Sequence, residues 1–288
     1  MKTYEIHEEK VFNSGHQACP GCGEALAARF ILNTMGPKTI GVVPPSCVAI
    51  ISGPQPYSSM RIPVYQTTLE ASAASATGIK RALRARDRDD VNVIAIAGDG
   101  GTYDIGFQAL SSAAERNEDI IYFCLDNEGY MNTGAQKSSS TPQYAYTSST
   151  PAGKPTKKKN LAEIMAAHEI PYVATATVGY PDDLVNKVKK AKQLKGTRLI
   201  IVLTPCLDGW GLEDHAAAKI SRLAVQTGIF PLYEIEDGQK YTINHAPQDI
   251  PVGAYLSQQK RYRHLTQEQI DEIQREVHNQ WKRLQNKL

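Results

Sequence analysis

Two textures alternate along this chain. Short, nearly unbroken apolar runs rich in β-branched residues are separated by longer stretches in which small and apolar residues recur three or four positions apart. A strand wetted on one face would alternate apolar and polar positions, so unbroken runs read as strands covered on both faces. The clearest are 91–97, 120–125, 172–177 and 199–203. The second texture predicts helices over 70–85, 105–116, 161–168 and 181–194, with Gly, Pro or Asn at the joins. Thr67 and Glu70 have capping-box spacing ahead of the first. Strand and helix alternate as far as residue 230, which predicts an α/β domain over 1–230, with a mostly parallel sheet and helices on both faces. Beyond it the texture changes to a tyrosine- and proline-bearing segment and then a polar helix over 266–288. Residues 231–288 therefore read as a C-terminal extension that contacts another subunit, not as a second catalytic domain. Residues 133–160 form a 28-residue stretch of Ser, Thr, Pro and Gly without apolar period, and loops of that length in compact domains are usually functional or disordered.

Composition narrows the class. Over 288 residues, 41% hydrophobic and 22% charged describe an ordinary globular protein. The 32 basic and 30 acidic residues leave +2, too little for the dominating positive field of a nucleic-acid binder. Lys157, Lys158 and Lys159 are the one tight basic run and read as a solvated lysine face. The longest apolar run, 120–125, is far shorter than a membrane span, and the first ten residues lack the apolar core of a secretory signal. The expectation is a cytoplasmic protein with no nucleic-acid or membrane partner.

Chemistry enters at the strand ends. The segment VIAIAGDGGTYDIGFQAL sets Gly98, Asp99, Gly100 and Gly101 between a buried strand and a helix. Glycines let the backbone close on an anion, and the free N–H groups of a helix start favour phosphate. An aspartate among them suits a divalent cation that bridges two phosphates. The spacing matches neither the dinucleotide fingerprint nor the P-loop. The next strand ends in Asp126-Asn127-Glu128-Gly129, with Asn127 28 residues after Asp99. A strand–helix–strand crossover takes about that length, so both ends can lie together at the carboxyl edge. Oxygens from Asp99 and Asn127, with a backbone carbonyl and two phosphate oxygens, would make the hard shell that magnesium prefers. The plainer reading is two turns without a ligand.

Five cysteines in a reducing compartment are read for metal or redox chemistry before disulfides. Cys19 and Cys22 stand in HQACPGCGEAL, Cys47 in VVPPSCVAI and Cys206 in LTPCLDGWG, each beside a Pro or Gly turn. Cys124, inside IIYFCL, reads as a buried and inert thiol. Four turn cysteines fit a tetrathiolate site for zinc or for an iron–sulfur cluster.

Taken together, the two sets resemble the beta subunit of 2-oxoacid:ferredoxin oxidoreductases, most closely the pyruvate synthase type. The carrying residues are CPGCG at 19–23, PPSC at 44–47, GDGGTYDIGFQALS at 98–111, DNEGYMNTG at 126–134, SSSTP at 138–142 and TPC at 204–206. The resemblance implies a thiamine diphosphate-binding fold. It makes Asp99 and Asn127 magnesium ligands by side chain and Gly129 by its carbonyl, and it assigns Cys19, Cys22, Cys47 and Cys206 to a [4Fe–4S] cluster beside the thiamine. It places Asn132 against the reacting carbon, with Tyr130 and Thr133 as weaker cofactor contacts. His16, ahead of the first cysteine pair, reads as a plain surface or supporting histidine, with tuning of the cluster or substrate pocket as the alternative. Glu70 is read as a helix cap, so the carboxylate that activates the aminopyrimidine is implied to come from an alpha subunit. Gamma and delta subunits, ferredoxin, coenzyme A and a 2-oxoacid complete the implied partners. Branched-chain, aryl, oxalate and 2-oxoglutarate substrates stay open beside pyruvate. So do a non-redox thiamine enzyme and, from another class, a zinc-binding assembly subunit without catalysis.

Overall fold

Runs of Val, Ile and Ala with no polar alternation are stable only where a sheet is covered twice, and that is where this chain puts them. The computed structural model describes residues 10–288. Its strands are β1 (Thr39–Val43), β2 (Val64–Gln66), β3 (Asn92–Gly98), β4 (Ile121–Asp126), β5 (Tyr172–Thr177), β6 (Arg198–Leu203), β7 (Leu232–Glu236) and β8 (Lys240–His245). Its helices are α1 (Gly23–Met35), α2 (Cys47–Ser52), α3 (Ser72–Arg84), α4 (Asp99–Tyr103), α5 (Phe107–Glu115), α6 (Leu161–Ala166), α7 (Pro181–Gln193), α8 (Leu207–Trp210), α9 (Ala217–Gln226), α10 (Gly253–Leu256) and α11 (Gln267–Gln285). The strands form one sheet in the order β2-β1-β3-β4-β6-β5-β7-β8. The first six are parallel to one another, while β7 pairs antiparallel with β5, and β8 antiparallel with β7. Alternate residues of each strand point into two different cores. Ile94, Ile96, Phe123 and Val202 pack under α1, α2 and α7, whereas Val93, Ala95, Tyr122 and Ile201 pack under α3, α5, α6, α9 and α11. The α/β class with helices on both faces is thus as expected.

Several local expectations change. The strands at 91–97 and 120–125 each shift one residue onward, because the ladder continues through Gly98 and Asp126. Helix formation resumes at once at Asp99, giving the short α4 ahead of α5. Thr67 and Glu70 form no capping box: α3 begins at Ser72 behind Ala71, Thr67 Oγ1 meets Ser75 Oγ at 2.9 Å, and Glu70 accepts from Thr68 Oγ1 at 3.0 Å. The lysine run is not a solvated face. Lys157 stays at the surface with Glu276, but Lys158 turns inward to Asp126 and Glu128, and Lys159 donates to the Tyr103 carbonyl. Residues 231–288 supply two strands of the common sheet. Their helix α11 buries Val277, Trp281 and Leu284 in the same core, with Trp281 Nε1 donating to the Gly228 carbonyl at 2.8 Å.

Opposite the carboxyl edge, Asp119 is buried among Arg198, Lys80, Arg84 and Lys195. Burial works against its charge, but the Arg198 hydrogen bond and the surrounding cations overcome it and hold the carboxyl below its ordinary value of 3.8. A depressed acid stabilises the fold above its unfolded pKa and loses that contribution as pH falls through the folded one. The stability margin of the native chain over Asp119→Asn is therefore expected at neutral pH and should shrink below about pH 4 in urea titrations.

Candidate active site

Strand order brings the chemistry to one place. Neighbouring strands β1, β3, β4 and β6 all point the same way, and the residues that follow them are Cys47 in the turn after β1, Asp99 after β3, Asn127 after β4 and Cys206 after β6. The carboxyl edge of a parallel sheet is where such folds hold ligands, since loops and helix starts converge there. Cys19 and Cys22 reach the same edge from the other side, at the start of α1. A Cβ on Gly23 would meet Pro205 O at 3.1 Å, so glycine lets α1 close against the Cys206 turn. Gly21 has φ +74°, and any side chain there would collide with the Asp214 carbonyl.

Asp99, Asn127 and Glu24 form a buried group, 1%, 4% and 2% exposed. Asn127 Nδ2 donates to Glu24 Oε2 at 3.1 Å, and the Ser138 hydroxyl donates to Asp99 Oδ2. Each keeps one oxygen with no hydrogen-bond partner: Asp99 Oδ1, Asn127 Oδ1 and Glu24 Oε1. Burial, reinforced by the charge of Asp126, pushes Asp99 well above the usual carboxylate range, and burial pushes Glu24 up to about 7. Orphaned buried oxygens on groups reluctant to ionise are what a divalent cation would repair.

The glycines divide by task. Gly98 is half-buried, and the space beside its Cα is bounded by Ser46 Cβ at 3.7 Å. The space at Gly100 is taken by the Tyr130 ring and that at Gly101 by Leu69, so packing alone explains these two as glycines. Tyr130 donates to the Gly100 carbonyl at 3.1 Å and to Asp104 at 2.9 Å, locking the loop after Gly129 onto α4. Thr133 donates to the Tyr130 carbonyl and to Gln136 Oε1, a loop cap. Asn132 is exposed at the edge, and its Oδ1 accepts from Cys47 Sγ at 3.4 Å.

Two of the thiols make polar contacts at this edge. Cys47 Sγ is 3.6 Å from Asn127 Nδ2, and Cys206 Sγ accepts from Gly209 N at 3.4 Å. Burial raises Cys22 to about 11 and lifts Cys47 and Cys206 above the ordinary thiol range. The charges of Glu24, Cys206 and Cys22 add to the effect at Cys47, and that of Cys19 at Cys22. Among the described residues, no three His, Cys, Asp or Glu side chains are drawn together as an ion would hold them, so the structure does not bring the four predicted cluster cysteines into one ligand set. Cys124 is fully buried in β4. His16 stacks on Phe12 at 5.4 Å and accepts from Ala18 N.

Sequence reasoning missed the outer support. Ser140 donates to Asp126 Oδ1 at 2.6 Å, Ser139 to Asp104, and Lys158 bridges Asp126 at 2.7 Å and Glu128 at 3.0 Å. Arg261 pairs with Glu128 at 2.6 Å and stacks on Trp210 at 3.7 Å, whose Nε1 donates to the Asn127 carbonyl at 2.8 Å. Only Glu24 left a signal, as an acid in the first turn of an otherwise apolar helix beside the Cys-x-x-Cys, where it reads as dipole compensation. Groups that orient a ligand typically cost 10–100-fold in metal affinity when removed. Ser138→Ala is therefore expected to weaken magnesium binding by about that factor in calorimetric titrations with thiamine diphosphate present, with the fold intact.

Comparison with known proteins gives the chain's family. Residues 47–202 match the thiamine pyrophosphate enzyme family's C-terminal TPP binding domain. The chain is 48% identical to the pyruvate synthase subunit PorB of Methanocaldococcus jannaschii over 99% of both chains. It is 43% identical to the ketoisovalerate oxidoreductase subunit VorB of Pyrococcus furiosus over 98% of this chain and 95% of that one. Its fold is shared with a chain of the 2-oxoglutarate:ferredoxin oxidoreductase from Magnetococcus marinus, solved with 2-oxoglutarate, coenzyme A and succinyl-CoA bound. That likeness has a TM-score of 0.59 and 23% identity, covering 76% of this chain and 84% of that one. The chain thus belongs to the thiamine pyrophosphate enzymes and, among them, to the beta subunits of 2-oxoacid:ferredoxin oxidoreductases, the family of PorB and VorB.

Proposed function

We propose that this subunit, completed by an alpha subunit, oxidatively decarboxylates pyruvate to acetyl-CoA and carbon dioxide in the cytoplasm and passes the electrons to ferredoxin. The reaction is reversible, and gamma and delta subunits extend the complex, with the outward face of α11 as a subunit contact. The observation that carries the reading is the position of Cys47, whose Sγ lies against both Asn127 of the buried oxygen group and Asn132 at the open edge. A thiol ligand and a diphosphate–metal anchor share one wall. When bound, thiamine diphosphate supplies a nucleophilic carbon and electron sink, and a [4Fe–4S] cluster supplies a one-electron acceptor beside it.

The chain's residues then have separate tasks. Asp99 and Asn127 present their unpaired oxygens, with the Gly129 carbonyl, to a magnesium ion that neutralises the diphosphate. Gly98 and the start of α4 leave room for the phosphates. Cys19, Cys22, Cys47 and Cys206 hold the cluster, and Asn132 offers its amide to the substrate. Pyruvate is the first choice because four PorB relatives share 46–48% identity, although a fifth shares 38%. The VorB chains, at 43–44%, make 2-oxoisovalerate the substrate to compare it with.

The test is anaerobic purification with the partner subunits, followed by iron and zinc analysis, an absorption spectrum and kcat/KM for both oxoacids. About four iron atoms for this chain's cysteines and a broad band near 400 nm that bleaches with oxoacid and coenzyme A are expected. A colourless, zinc-loaded subunit overturns the cluster, and a higher kcat/KM for 2-oxoisovalerate overturns pyruvate. Cys47→Ala should remove the chromophore, whereas Cys124→Ala should keep it at a cost of about 1 kcal/mol in stability.

A further inference from the structure

Behind the oxygen group, on the α11 side of the sheet, lies a cavity of about 460 Å³ that the proposed reaction does not use. Small-ligand pockets span about 300–1,000 Å³. The buried part of the walls is mostly apolar and largely aromatic, with Phe230, Tyr233, Tyr255, Tyr262, Val277 and Leu284 each less than a tenth exposed, while charged side chains line the rest. Apolar walls hold water poorly, and an unfilled void forfeits contacts on every side. At the floor sits Lys158, whose side chain is 25% accessible. Its ammonium carries three donors. One goes to Asp126 and one to Glu128, and the third has no acceptor among the described residues. The Nζ lies 6.0 Å from the Tyr103 ring centroid and 5.8 Å from that of Phe230, both of which line the cavity.

Charge decides the kind of ligand. At the floor, Lys158 and Arg261 balance Asp126 and Glu128. At the mouth, Lys157 and Arg283 pair with Glu276, and Lys287 pairs with Glu163, while Tyr144 donates to Glu272. Lys159 also lines the cavity without an acidic partner, but its ammonium is committed to the Tyr103 carbonyl and lies over the Phe107 ring, so the acids present already match the remaining cations in number. We propose that this cavity is a binding site for a small neutral aromatic molecule bearing one hydrogen-bond acceptor, its ring held among the aromatic walls and its acceptor on the third proton of Lys158. The mouth pairs tie α11 to the loop at 157 and the residues just after α11 to α6, so a guest enters by parting exposed ion pairs, which salt weakens. Lys158 also braces Asp126, next to Asn127, so an occupant steadies the turn that the reaction depends on.

The test uses the assembled complex and the fluorine resonance of 4-fluoroacetophenone. Broadening that saturates is expected, with 4-fluorotoluene, which lacks the acceptor, binding about tenfold more weakly, the value of one hydrogen bond to a charged group. 4-Fluorobenzoate should bind no more tightly than the ketone. Leu284→Trp, and independently Val277→Phe, fill the cavity and should abolish binding while leaving turnover in the absence of the ligand unchanged. A crystal of the complex soaked with 4-bromoacetophenone should show its anomalous bromine peak between Phe230 and Leu284, whether or not either variant folds. No saturable binding, a peak elsewhere, or a benzoate that outbinds the ketone would overturn the proposal.

Discussion

Asp99→Asn is expected to abolish turnover and retention of thiamine diphosphate while leaving the apo-subunit at least as stable as the native chain. Removing a group that merely orients a metal ligand typically costs 10–100-fold in affinity, so losing the ligand's own charge should exceed about 100-fold. Stability should move the other way, because the Asp99 carboxylate is buried, sits close to Asp126, and is held by burial and that charge well above the usual carboxylate range. An amide keeps the shape and the Ser138 contact while removing the charge that is costly to desolvate. Magnesium and thiamine diphosphate titrations followed by calorimetry, together with urea unfolding of the apo-complex, read the two effects separately. Loss of both activity and apo-stability would make Asp99 a structural residue and sink its assignment to the metal.

Arg261→Ala is expected to destabilise the subunit by about 3–5 kcal/mol, the usual cost of stranding one partner of a buried ion pair. Arg261 and Glu128 are 3% and 5% exposed and 2.6 Å apart. Without the guanidinium, Glu128 keeps Lys158 alone, and Trp210 loses the cation stacked on its ring. Glu128 also holds a left-handed backbone, φ 64°, immediately after Asn127. Loosening it should raise the magnesium concentration needed for half-maximal activity as well as lower the urea midpoint. Arg261→Lys should rescue little, since a point charge reproduces neither the stack nor the planar fork. The pair Glu128→Gln with Arg261→Met should cost less than the sum of its members, because the stranded charge disappears with its partner.

The residues proposed to hold cofactors stand out in the sequence because each sits beside a local signal. Asp99 lies among glycines at a strand end, Asn127 closes the next strand, and the cysteines flank Pro or Gly turns. Strand order then did what spacing could only anticipate, by making β1, β3, β4 and β6 neighbours. The residues that brace them were not legible, because their partners lie far away in the chain: Arg261 meets Glu128 across 133 positions, and Glu24 meets Asn127 across 103. Lys158 was hidden in another way. Three adjacent lysines look alike as a run, and only the packed fold distinguishes the one facing two buried carboxylates from the one facing water. The helix starts misjudged at 70 and 105 reflect turns whose geometry is set by packing, as at Gly106, where a Cβ would strike the Gly101 carbonyl.

Both margins of the sheet are poor templates for another chain. β2 offers only three residues and follows Pro63, which has no N–H to give, while β8 has no fully buried position and carries Lys240, Asn244 and His245. A newly made copy waiting for its partner subunits therefore presents little open backbone to its own kind. Assembly is left to side-chain surfaces, and the hazard of fibril-like stacking during that wait is low by construction.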